Sequence, residues 1–305
     1  MNDAAITLAI PFYGSIDYLK STLTSVQAQT VSNWCAIVVD DCCPTSGVRE
    51  LVESFHDHRI SYVRNEKNLG LANNWNRCIE LCGTPLITLV HGDDQLTPYY
   101  AETMLAAHSK WSDAAAIFCQ AVVIDERGAE VFSFRDYVKR WLLPDSKNPF
   151  VLEGEQGVKS LLRGNFIMCP TLCYKRTLLQ EVRFSPEWRM VLDLDFYLRA
   201  IAKGAKFVGL REAVYLYRRH ADQVTTECER NLRIFAEEVE LWRLAASDAR
   251  EHGWHETAKV ADDMTIIKLQ LLYYMLADIG NLQFCKAGKK FTLLTQICRR
   301  SAKLK

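Results

Sequence analysis

Two carboxylate-rich segments, far apart along the chain, contain the residues best suited to chemistry. The first is His91-Gly-Asp-Asp94, which follows an apolar run, and the second is Val191-Leu-Asp-Leu-Asp-Phe-Tyr-Leu-Arg199. Carboxylate oxygens are hard ligands that suit Mg²⁺ or Mn²⁺, and such an ion can bridge a diphosphate. A second carboxylate site on the same scaffold can supply a general base. The pair therefore indicates a transferase that uses a nucleotide-activated donor.

Within the second segment, Asp193 and Asp195 are not equivalent. On a helix the two side chains point about 200° apart, so they cannot both face the same ligand. One is expected to do chemistry, while the other stabilises the positive N-terminal end of the helix. The alternative is that both carboxylates only stabilise the start of that helix. Periodicity alone does not choose between the two residues.

Apolar runs that alternate with helical spacing predict the scaffold that positions these segments. Buried strands are expected at residues 6–10, 36–39, 60–63 and 85–90, with helices between them. This alternation predicts an α/β fold with a mostly parallel central sheet, right-handed crossovers and flanking helices. Ligands of such sheets bind beyond the carboxyl ends of the strands. The polar residues expected at that edge are Tyr13, Asp40, Asp41, His91, Asp93 and Asp94.

A single Asp at a strand end is weak evidence for a site, because it is commonly a helix cap or an Asx turn. Several polar strand ends at one edge of a sheet favour a binding site instead. Asp93 and Asp94 follow Gly92, where a ligand can approach the backbone closely. Asp41 can accept a hydrogen bond from a nucleobase N–H, and Tyr13 can contact the base or the ribose.

The second half of the chain adds candidates on a less regular pattern. His220 follows a predicted strand and is preceded by two arginines, which favours a diphosphate contact over an ordinary surface histidine. Trp141, Trp188 and Arg189 lie where an acceptor sugar can stack, although such side chains suit a core or a lid equally well. The predicted elements are a strand and hairpin over 115–135, helices over 153–163 and 193–203, and a strand over 213–217.

Composition bounds the class of protein. A chain of 305 residues forms one large α/β domain or two small ones, and equal totals of 37 acidic and 37 basic residues give no indication of nucleic acid as a partner. The 11 cysteines form no C-x-x-C pair, which favours buried thiols in a reducing cytosol over a zinc site. A strand that begins at Ile6 leaves no room for a signal peptide, and no apolar run reaches the ~18 residues of a membrane span. We expect a cytoplasmic protein.

The end of the chain is helical and basic. After Asp278 there are no acidic residues, while seven Lys or Arg residues follow. This basic tail is either a solvated end or a contact for anionic lipid or a polyanionic acceptor, and lipid contact would make the protein peripheral on the inner face of the cytoplasmic membrane. Helical spacing from Leu232 to Ala246 is too short for a coiled coil. Packing onto the rest of the chain is expected there, with a homodimer as the alternative.

Ordered segments of the chain resemble the motifs of family 2 glycosyltransferases. Ile10-Pro-Phe-Tyr-Gly14 looks like their first-strand motif, and Val38-Val-Asp-Asp41 is similar to their nucleobase-binding turn. Arg64-Asn-Glu-Lys-Asn-Leu-Gly70, with Asn73 to Asn76 after it, resembles their Asn-x-Gly segment. The resemblance continues at His91-Gly-Asp93 in place of Asp-x-Asp, Leu192-Asp-Leu-Asp195 in place of the Glu-Asp base motif, and Tyr217-Arg-Arg-His220 in place of a basic segment.

The resemblance covers about residues 5–225 and implies the GT-A fold with a C-terminal helical extension. It further implies Mn²⁺ or Mg²⁺ as cofactor, a nucleotide-diphosphate sugar donor and inversion at the anomeric carbon. The implied domains are a glycosyltransferase domain over 1–226 and a helical region with a basic tail over 227–305. The first domain would consist of a nucleotide-binding half, about 1–110, and an acceptor-binding half over 111–226.

Roles follow from the resemblance position by position. Asp193 is implied to be the general base, because it matches the second member of the Glu-Asp pair. Asp93 is implied to hold the metal, and His220 to contact the metal or the diphosphate. Donor-binding roles are implied for Pro11, Tyr13, Asp41, Asn68, Gly70, His91, Asp94 and Arg218.

Three positions depart from the family's pattern. His91 replaces the first acidic residue of Asp-x-Asp and is expected to contact ribose instead. Leu192 replaces the Glu that supports the base, and Cys42-Cys43 replaces a small polar pair. None of these changes removes the implied metal ligand or the base.

The function that these residues indicate is an inverting glycosyltransferase. It would move a sugar from a nucleotide-diphosphate sugar to a hydroxyl of a saccharide or lipid-linked saccharide, in cell-surface polysaccharide or glycolipid synthesis. A nucleotidyltransferase is one alternative, but it needs a Gly-rich basic loop that Pro11-Phe-Tyr-Gly14 does not supply. A catalytically degenerate member that binds nucleotide sugar or a partner is the other, since His91 and Leu192 depart from the pattern.

Overall fold

The computed structural model describes residues 4–133, 143, 149–220 and 232–303. It divides the chain into two compact units. The first unit comprises Met1–Glu153 and Phe166–His220, and the second comprises Gly154–Asn165 and Ala221–Lys305. The helical region expected over 227–305 therefore shares its unit with the segment 154–165, which the sequence-based division assigned to the glycosyltransferase domain.

The described elements alternate between strands and helices in the first unit and are helical in the second. The strands are β1 Ile6–Phe12, β2 Trp34–Asp40, β3 Ile60–Arg64, β4 Leu86–Leu89, β5 Gln95–Leu96, β6 Ala116–Ile124, β7 Phe150–Leu152, β8 Leu172–Lys175 and β9 Phe207–Arg218. The helices are α1 Ile16–Gln27, α2 Val48–Glu53, α3 Leu71–Leu81, α4 Tyr100–Lys110, α5 Gly154–Arg163, α6 Arg176–Glu181, α7 Leu192–Ala202, α8 Arg233–Glu251, α9 His255–Asp263, α10 Thr265–Gly280 and α11 Phe284–Lys303.

The strands of the first unit form one sheet in the order β3-β2-β1-β4-β8-β6-β9-β5, with β7 paired to β9. β1 pairs in parallel with β2 and β4, and β2 pairs in parallel with β3. β1 and β4 are buried along almost their whole length, because a sheet with helices on both faces hides both sides of its central strands. The predicted α/β class and the four predicted strands are confirmed.

The second half of the sheet mixes directions. β8 runs antiparallel to β4 and β6, and both β5 and β7 run antiparallel to β9, while β6 and β9 are parallel. The prediction of a mostly parallel sheet thus holds for the first four strands, and the sheet as a whole is mixed. The sequence did not indicate β5 or β7, since runs of two or three residues show no periodicity.

Gly209 of β9 lies under two aromatic rings, and its replacement is expected to destabilise the fold. A Cβ atom there would lie 2.6 Å from Phe150 Cε1 and 2.7 Å from Phe118 Cζ. Gly209→Ala should lower the free energy of unfolding by about 1–3 kcal/mol, the usual cost of overpacking a core. Urea denaturation measures this change. Gly83→Ala is the matched control, because a Cβ at Gly83 meets nothing within 4 Å; equal midpoints for the two variants would contradict the expectation.

The second unit is built from α5 and α8–α11. Its buried side chains include Phe235, Val239, Trp242 and Ala246 of α8, the face expected from the helical spacing. α8 packs against α9 and α10, and α9 packs against α5, where Thr257 Oγ1 donates a hydrogen bond to Glu155 Oε1 at 3.0 Å. The predicted C-terminal helices are confirmed. Among the described residues, no helix combines the length and the apolarity needed to cross a bilayer.

Candidate active site

The ends of β1, β2 and β4 bring the loops with predicted site residues to one edge of the sheet. The Asp41 amide donates a hydrogen bond to the Phe12 carbonyl at 2.9 Å, and the Val90 amide donates to the Ala9 carbonyl at 2.8 Å. The loops after the three strands therefore start side by side. Tyr13 follows β1 with 60% of its surface exposed, as a residue that contacts a ligand from solvent would be. Its neighbour Pro11 lies within β1 and is half-buried.

The Asp41 carboxylate holds the loop that leads into α3. Oδ1 accepts hydrogen bonds from Asn65 Nδ2 and from the Leu69 amide, both at 2.8 Å, and Oδ2 accepts one from the Gly70 amide at 3.0 Å. Gly70 also donates to Asn68 Oδ1 at 3.0 Å, and its φ of +79° favours glycine. Asp41 thus shapes the loop. Because a carboxylate oxygen accepts two hydrogen bonds, Oδ2 has capacity left for a ligand N–H.

The preceding residue, Asp40, has a purely internal set of contacts. It is fully buried, and its Oδ2 accepts hydrogen bonds from Tyr62 Oη and Arg64 Nη1, each at 2.6 Å. Its Oδ1 accepts one from the Cys43 amide at 2.7 Å. Asp40 therefore closes the turn after β2 and leaves Asp41 as the residue of the pair that can serve a ligand.

Asp93 and His220 form the centre of a group suited to a cation. His220 Nε2 and Asp93 Oδ2 lie 2.9 Å apart, and one ligand atom from each of His91, Asp93 and Asp94 lies within 4.8 Å of the others. Burial opposes ionisation of Asp93, but its interactions with the two histidines, above all the hydrogen bond with His220, outweigh this effect, so the pKa of Asp93 is lowered. An anionic oxygen beside an imidazole nitrogen results.

His91 contributes a buried nitrogen that lacks a partner within the described part of the chain. Among the described residues, neither His91 Nε2 nor His220 Nδ1 has a hydrogen-bond partner. Burial lowers the pKa of His91, despite the opposing charge of Asp93, so its imidazole is neutral near pH 7. The ring lies 5.5 Å from the Trp75 ring, and the backbone amide donates to Tyr215 Oη at 3.3 Å. A buried polar atom without a partner is unfavourable, so this nitrogen suits contact with a bound ligand.

Asp94 has its hydrogen bonds inside the protein. Its Oδ1 accepts from the Arg218 amide at 2.8 Å, and its Oδ2 accepts from Tyr215 Oη at 3.0 Å. Burial raises the pKa of Asp94 well above its usual range, and the neighbouring Asp93 raises it further. These contacts favour a role in fixing the loop after β4. Tyr215 was not singled out from the sequence, because a buried tyrosine within a strand is indistinguishable there from core.

Arg218 also has a supporting position. It is only 2% exposed, and its guanidinium lies over the Tyr18 ring at 4.9 Å. Nε donates to the Asp93 carbonyl at 2.7 Å, while Nη1 donates to the carbonyls of 125–126 at 2.8 and 3.0 Å. These bonds fix the backbone of Asp93, so the described contacts favour positioning over direct contact with a donor. The predicted donor-binding roles of Asp94 and Arg218 stay predictions.

The structure separates the two aspartates at the start of α7. Asp195 is buried, and its Oδ2 accepts hydrogen bonds from Arg199 Nη2 at 2.6 Å and Nε at 3.0 Å. Arg199 also donates to the Arg183 carbonyl at 2.8 Å. Asp193 is half-buried in the first turn of the same helix, where the positive end of the macrodipole stabilises a carboxylate. The assignment of Asp193 as the base stays a prediction, and the ion pair of Asp195 supports it.

Aromatic and polar contacts connect the loop after β4 with α7, the helix that carries Asp193. The Trp75 ring contacts the rings of His91 at 5.5 Å and Phe184 at 5.0 Å. Asn76 clamps the Phe184 backbone, because its Nδ2 donates to the carbonyl at 2.8 Å and its Oδ1 accepts from the amide at 3.1 Å. Phe184 in turn stacks on Phe196 of α7 at 4.5 Å. The sequence singled out the asparagine-rich segment of α3, but it gave no indication of the contact between Asn76 and Phe184.

The candidates for acceptor binding are only partly described. Trp188 is half-buried and Arg189 is exposed in the segment between α6 and α7, directly before the helix that carries Asp193. Trp141 lies outside the described residues. The position of Trp188 and Arg189 is compatible with contact to a ligand that approaches Asp193, and their role stays a prediction.

The residues present fit a divalent cation. Asp93 supplies an anionic oxygen, His220 supplies an imidazole nitrogen, and the buried His91 Nε2 has no partner among the described residues. Carboxylate oxygens are ligands that both Mg²⁺ and Mn²⁺ accept. Asp93 and His220 are therefore the residues that would hold the ion.

A family model named glycosyl transferase family 2 matches residues 7–170. The match covers more than half of the chain, and the chain belongs to this family of glycosyltransferases. The predicted family is confirmed. The match contains the loops after β1, β2 and β4, and it ends before α7.

Several curated relatives have been classed as glycosyltransferases. A putative teichuronic acid biosynthesis glycosyltransferase of Bacillus subtilis is 26% identical over 70% of this chain and 78% of its own length. A putative colanic acid biosynthesis glycosyl transferase of Escherichia coli is 25% identical over 70% of this chain and 72% of its own. An uncharacterized glycosyltransferase of Methanocaldococcus jannaschii is 24% identical over 66% of both chains, so the match spans about two thirds of that relative.

Solved structures show the GT-A fold. S. aureus TarS 1-349 in complex with UDP-GlcNAc superposes with a TM-score of 0.66 at 15% identity, covering 92% of this chain and 79% of that one. The mannosyltransferase PcManGT from Pyrobaculum calidifontis, in complex with GDP-Man and Mn²⁺, gives 0.58 at 14% identity, covering 98% and 86%. The predicted GT-A fold is confirmed.

Proposed function

We propose that this protein is an inverting glycosyltransferase that transfers a sugar from a nucleotide-diphosphate sugar to an acceptor hydroxyl. The observation that carries the proposal is the Asp93–His220 pair at the carboxyl edge of the sheet, with one ligand atom of His91 within 4.8 Å of one from Asp93. The negative charge of a bound diphosphate requires a cation at this position, and Asp93 and His220 can hold such a cation. The UDP-GlcNAc and GDP-Man complexes of the structural neighbours support a nucleotide-sugar donor.

The donor would lie along the loops after β1, β2 and β4. Tyr13 and Pro11 would face the base or ribose, and Asp41 Oδ2 would accept a base N–H in addition to the Gly70 amide. Asn68 and Gly70 would act through the loop that Asp41 holds. His91 would use its buried Nε2 on the ribose or the diphosphate.

The chemical step is a single displacement at the anomeric carbon. The acceptor oxygen attacks that carbon, the bond from it to the phosphate oxygen breaks, and the nucleoside diphosphate leaves with the bonding electrons. Asp193 takes the proton of the attacking hydroxyl. Configuration inverts because attack and departure occur on opposite faces, and no covalent intermediate forms. The positive end of α7 stabilises the Asp193 carboxylate until it accepts the proton.

A bound Mn²⁺ or Mg²⁺ would neutralise the charge that develops on the departing diphosphate. Asp93 and His220 would hold it, since their ligand atoms lie 2.9 Å apart. Arg218 fixes the Asp93 backbone through its 2.7 Å hydrogen bond to the carbonyl, and Asp94 anchors the same loop to β9. The protein's own contribution would be a loop fixed by these hydrogen bonds, with the anionic oxygen of Asp93 available to hold the ion.

The acceptor would be a saccharide or lipid-linked saccharide in cell-surface polysaccharide or glycolipid synthesis. The names of the teichuronic acid and colanic acid relatives support this class. A cytoplasmic protein that is peripheral on the inner face of the cytoplasmic membrane would reach both a nucleotide sugar and a lipid-linked acceptor. Trp188 and Arg189, before α7, are the described candidates for acceptor contact.

Thermal unfolding with UDP, dTDP, GDP and CDP, each with and without Mn²⁺, tests the donor site. A ligand at 100 times its Kd stabilises the folded state by about 2.7 kcal/mol, so one nucleotide should raise the unfolding temperature and do so more strongly with Mn²⁺. Release of that nucleotide from its sugar conjugates with a saccharide acceptor then tests transfer. A shift without release would favour a degenerate binder, for which the His91 and Leu192 departures give a reason. Unchanged unfolding with every nucleotide would contradict the proposal.

A further inference from the structure

The hairpin of α10 and α11 exposes an unusual amount of apolar surface. Leu276 is 59% exposed, Leu282 76% and Phe284 63%, although such side chains are ordinarily buried. Large exposed apolar patches on soluble domains mark surfaces that bind a partner or a membrane. The exposed apolar side chains of the hairpin are Leu269, Leu272, Tyr273, Leu276, Ile279, Leu282, Phe284 and Phe291.

The exposed side chains of α10 share one face. Leu269, Leu272, Tyr273, Leu276 and Ile279 fall within an arc of about 120° when each residue advances the helix by about 100°, which places them on one stripe. The buried residues Ile267 and Leu271 lie on the opposite side of the same helix. α10 thus packs into its unit through one face and presents a second apolar face, which we call the apolar stripe, to the exterior.

The second helix of the hairpin, α11, contains basic residues but no acidic ones. α11 and the residues after it contain no Asp or Glu. Lys290 is buried and pairs with Asp278 at 2.5 Å, so it is neutralised locally. Lys286, Lys289 and Arg299 are exposed. These three form the free basic group of the hairpin within the described residues.

An apolar stripe on α10, with exposed Lys and Arg on the neighbouring helix α11, matches the chemistry of an anionic membrane surface. Helices that lie in the interface bury Leu and Phe at the boundary of the lipid chains and keep Lys and Arg at the phosphates. Tyr273 suits the headgroup level, where tyrosine is enriched. In a symmetric pair of copies, the stripe would instead meet itself and bring two unneutralised basic groups together, which is unfavourable.

We infer that the α10–α11 hairpin docks the second unit on an anionic lipid surface. Leu269, Leu272, Tyr273, Leu276 and Ile279 would enter the headgroup layer, and Lys286, Lys289 and Arg299 would contact lipid phosphates. The inference rests on the proposed function only for the expectation that the acceptor is lipid-linked. The surface itself is argued from the exposed side chains and the charge of the hairpin.

Co-sedimentation of the full chain with vesicles of phosphatidylcholine and phosphatidylglycerol, without donor or acceptor, tests the inference. Wild type should bind these vesicles, bind pure phosphatidylcholine less, and lose affinity in 0.5 M NaCl because salt screens the charges. Leu272→Gln/Leu276→Gln should bind at least ~10-fold less, since two apolar side chains leave the lipid. Leu244→Gln is the matched control, as Leu244 is 51% exposed on α8 outside the stripe. It should bind as wild type does.

A second double variant distinguishes a loss of lipid binding from a loss of folding. Lys286→Gln/Lys289→Gln leaves the stripe intact and should also reduce binding to anionic vesicles, with an unchanged unfolding temperature. Vesicle binding that survives both double substitutions would overturn the inference. So would a wild-type dimer that Leu272→Gln/Leu276→Gln converts to a monomer while neither binds vesicles, since the stripe would then be a subunit interface. Because no donor is present, these results are independent of whether the protein transfers sugar.

Discussion

Asp193→Asn is expected to bind the donor as wild type does and to transfer sugar at least ~100-fold more slowly, the usual scale for the loss of a general base. Asn has nearly the same shape as Asp but cannot take the proton of the attacking hydroxyl. Asp193 lies half-buried in the first turn of α7, so the substitution should leave the fold intact. The measurements are the nucleotide-induced shift of the unfolding temperature and the rate of nucleotide release with an acceptor.

Asp195→Asn is the matched control for that experiment. It makes the same chemical change two residues along the helix, but it weakens the ion pair with Arg199 at 2.6 Å. Its expected effect is lower stability, because the Arg199 guanidinium, whose side chain is 38% exposed, loses its counterion, with much less loss of turnover per folded molecule. Near-normal transfer by Asp193→Asn, or a larger loss in Asp195→Asn, would exclude Asp193 as the base.

Asp93→Asn is expected to abolish the Mn²⁺-dependent part of nucleotide binding and to slow transfer by about 10²–10³-fold, the scale seen when one electrostatic stabiliser of a transition state is removed. The amide keeps a hydrogen-bond acceptor near His220 Nε2, at 2.9 Å in the native protein, but it loses the anionic oxygen that attracts the ion. The measurements are the nucleotide-induced unfolding shift with and without Mn²⁺, and initial rates over a range of Mn²⁺ concentrations.

Asp113→Asn controls for the change in net charge. Asp113 pairs with Lys206 at 2.8 Å on the surface, and its side chain is 66% exposed, so its loss should leave both binding and rate unaltered. If Asp93→Asn responds to Mn²⁺ as wild type does, the ion is not held at Asp93. If Asp113→Asn loses as much rate as Asp93→Asn, overall charge, and not the position of the ligand, is responsible.

The elements with long, regular patterns were predictable. The runs at 6–10, 36–39, 60–63 and 85–90 became β1 to β4, because continuous apolar runs separated by helical spacing suit buried parallel strands. Once those strands were placed side by side, Asp41 and Asp93 had to fall at the same edge of the sheet. The family was predictable from the same loops, whose backbone positions depend on local residues such as Gly70 with its φ of +79°.

The second half of the sheet was harder to predict, because pairing there joins residues distant in the sequence. β9 pairs with three strands and follows β8 only after α6 and α7, and its register with β6 shifts between Phe118 and Ala121. The two residues of β5 show no sequence pattern that would indicate their pairing with β9. The prediction of mostly parallel strands therefore described only β1 to β4, where a single helix connects each strand to the next.

Within the site, the sequence by itself determined which residue types lie at the strand ends and before α7, since local patterns place them there. Only the tertiary structure decided how each carboxylate is used. Asp40, Asp94 and Asp195 accept hydrogen bonds from Tyr62, Tyr215 and Arg199, respectively. Asp93 instead lies against the His220 imidazole. The physical reason is that a carboxylate's role depends on its burial and on the donors that reach it, and those donors come from residues that only folding brings together.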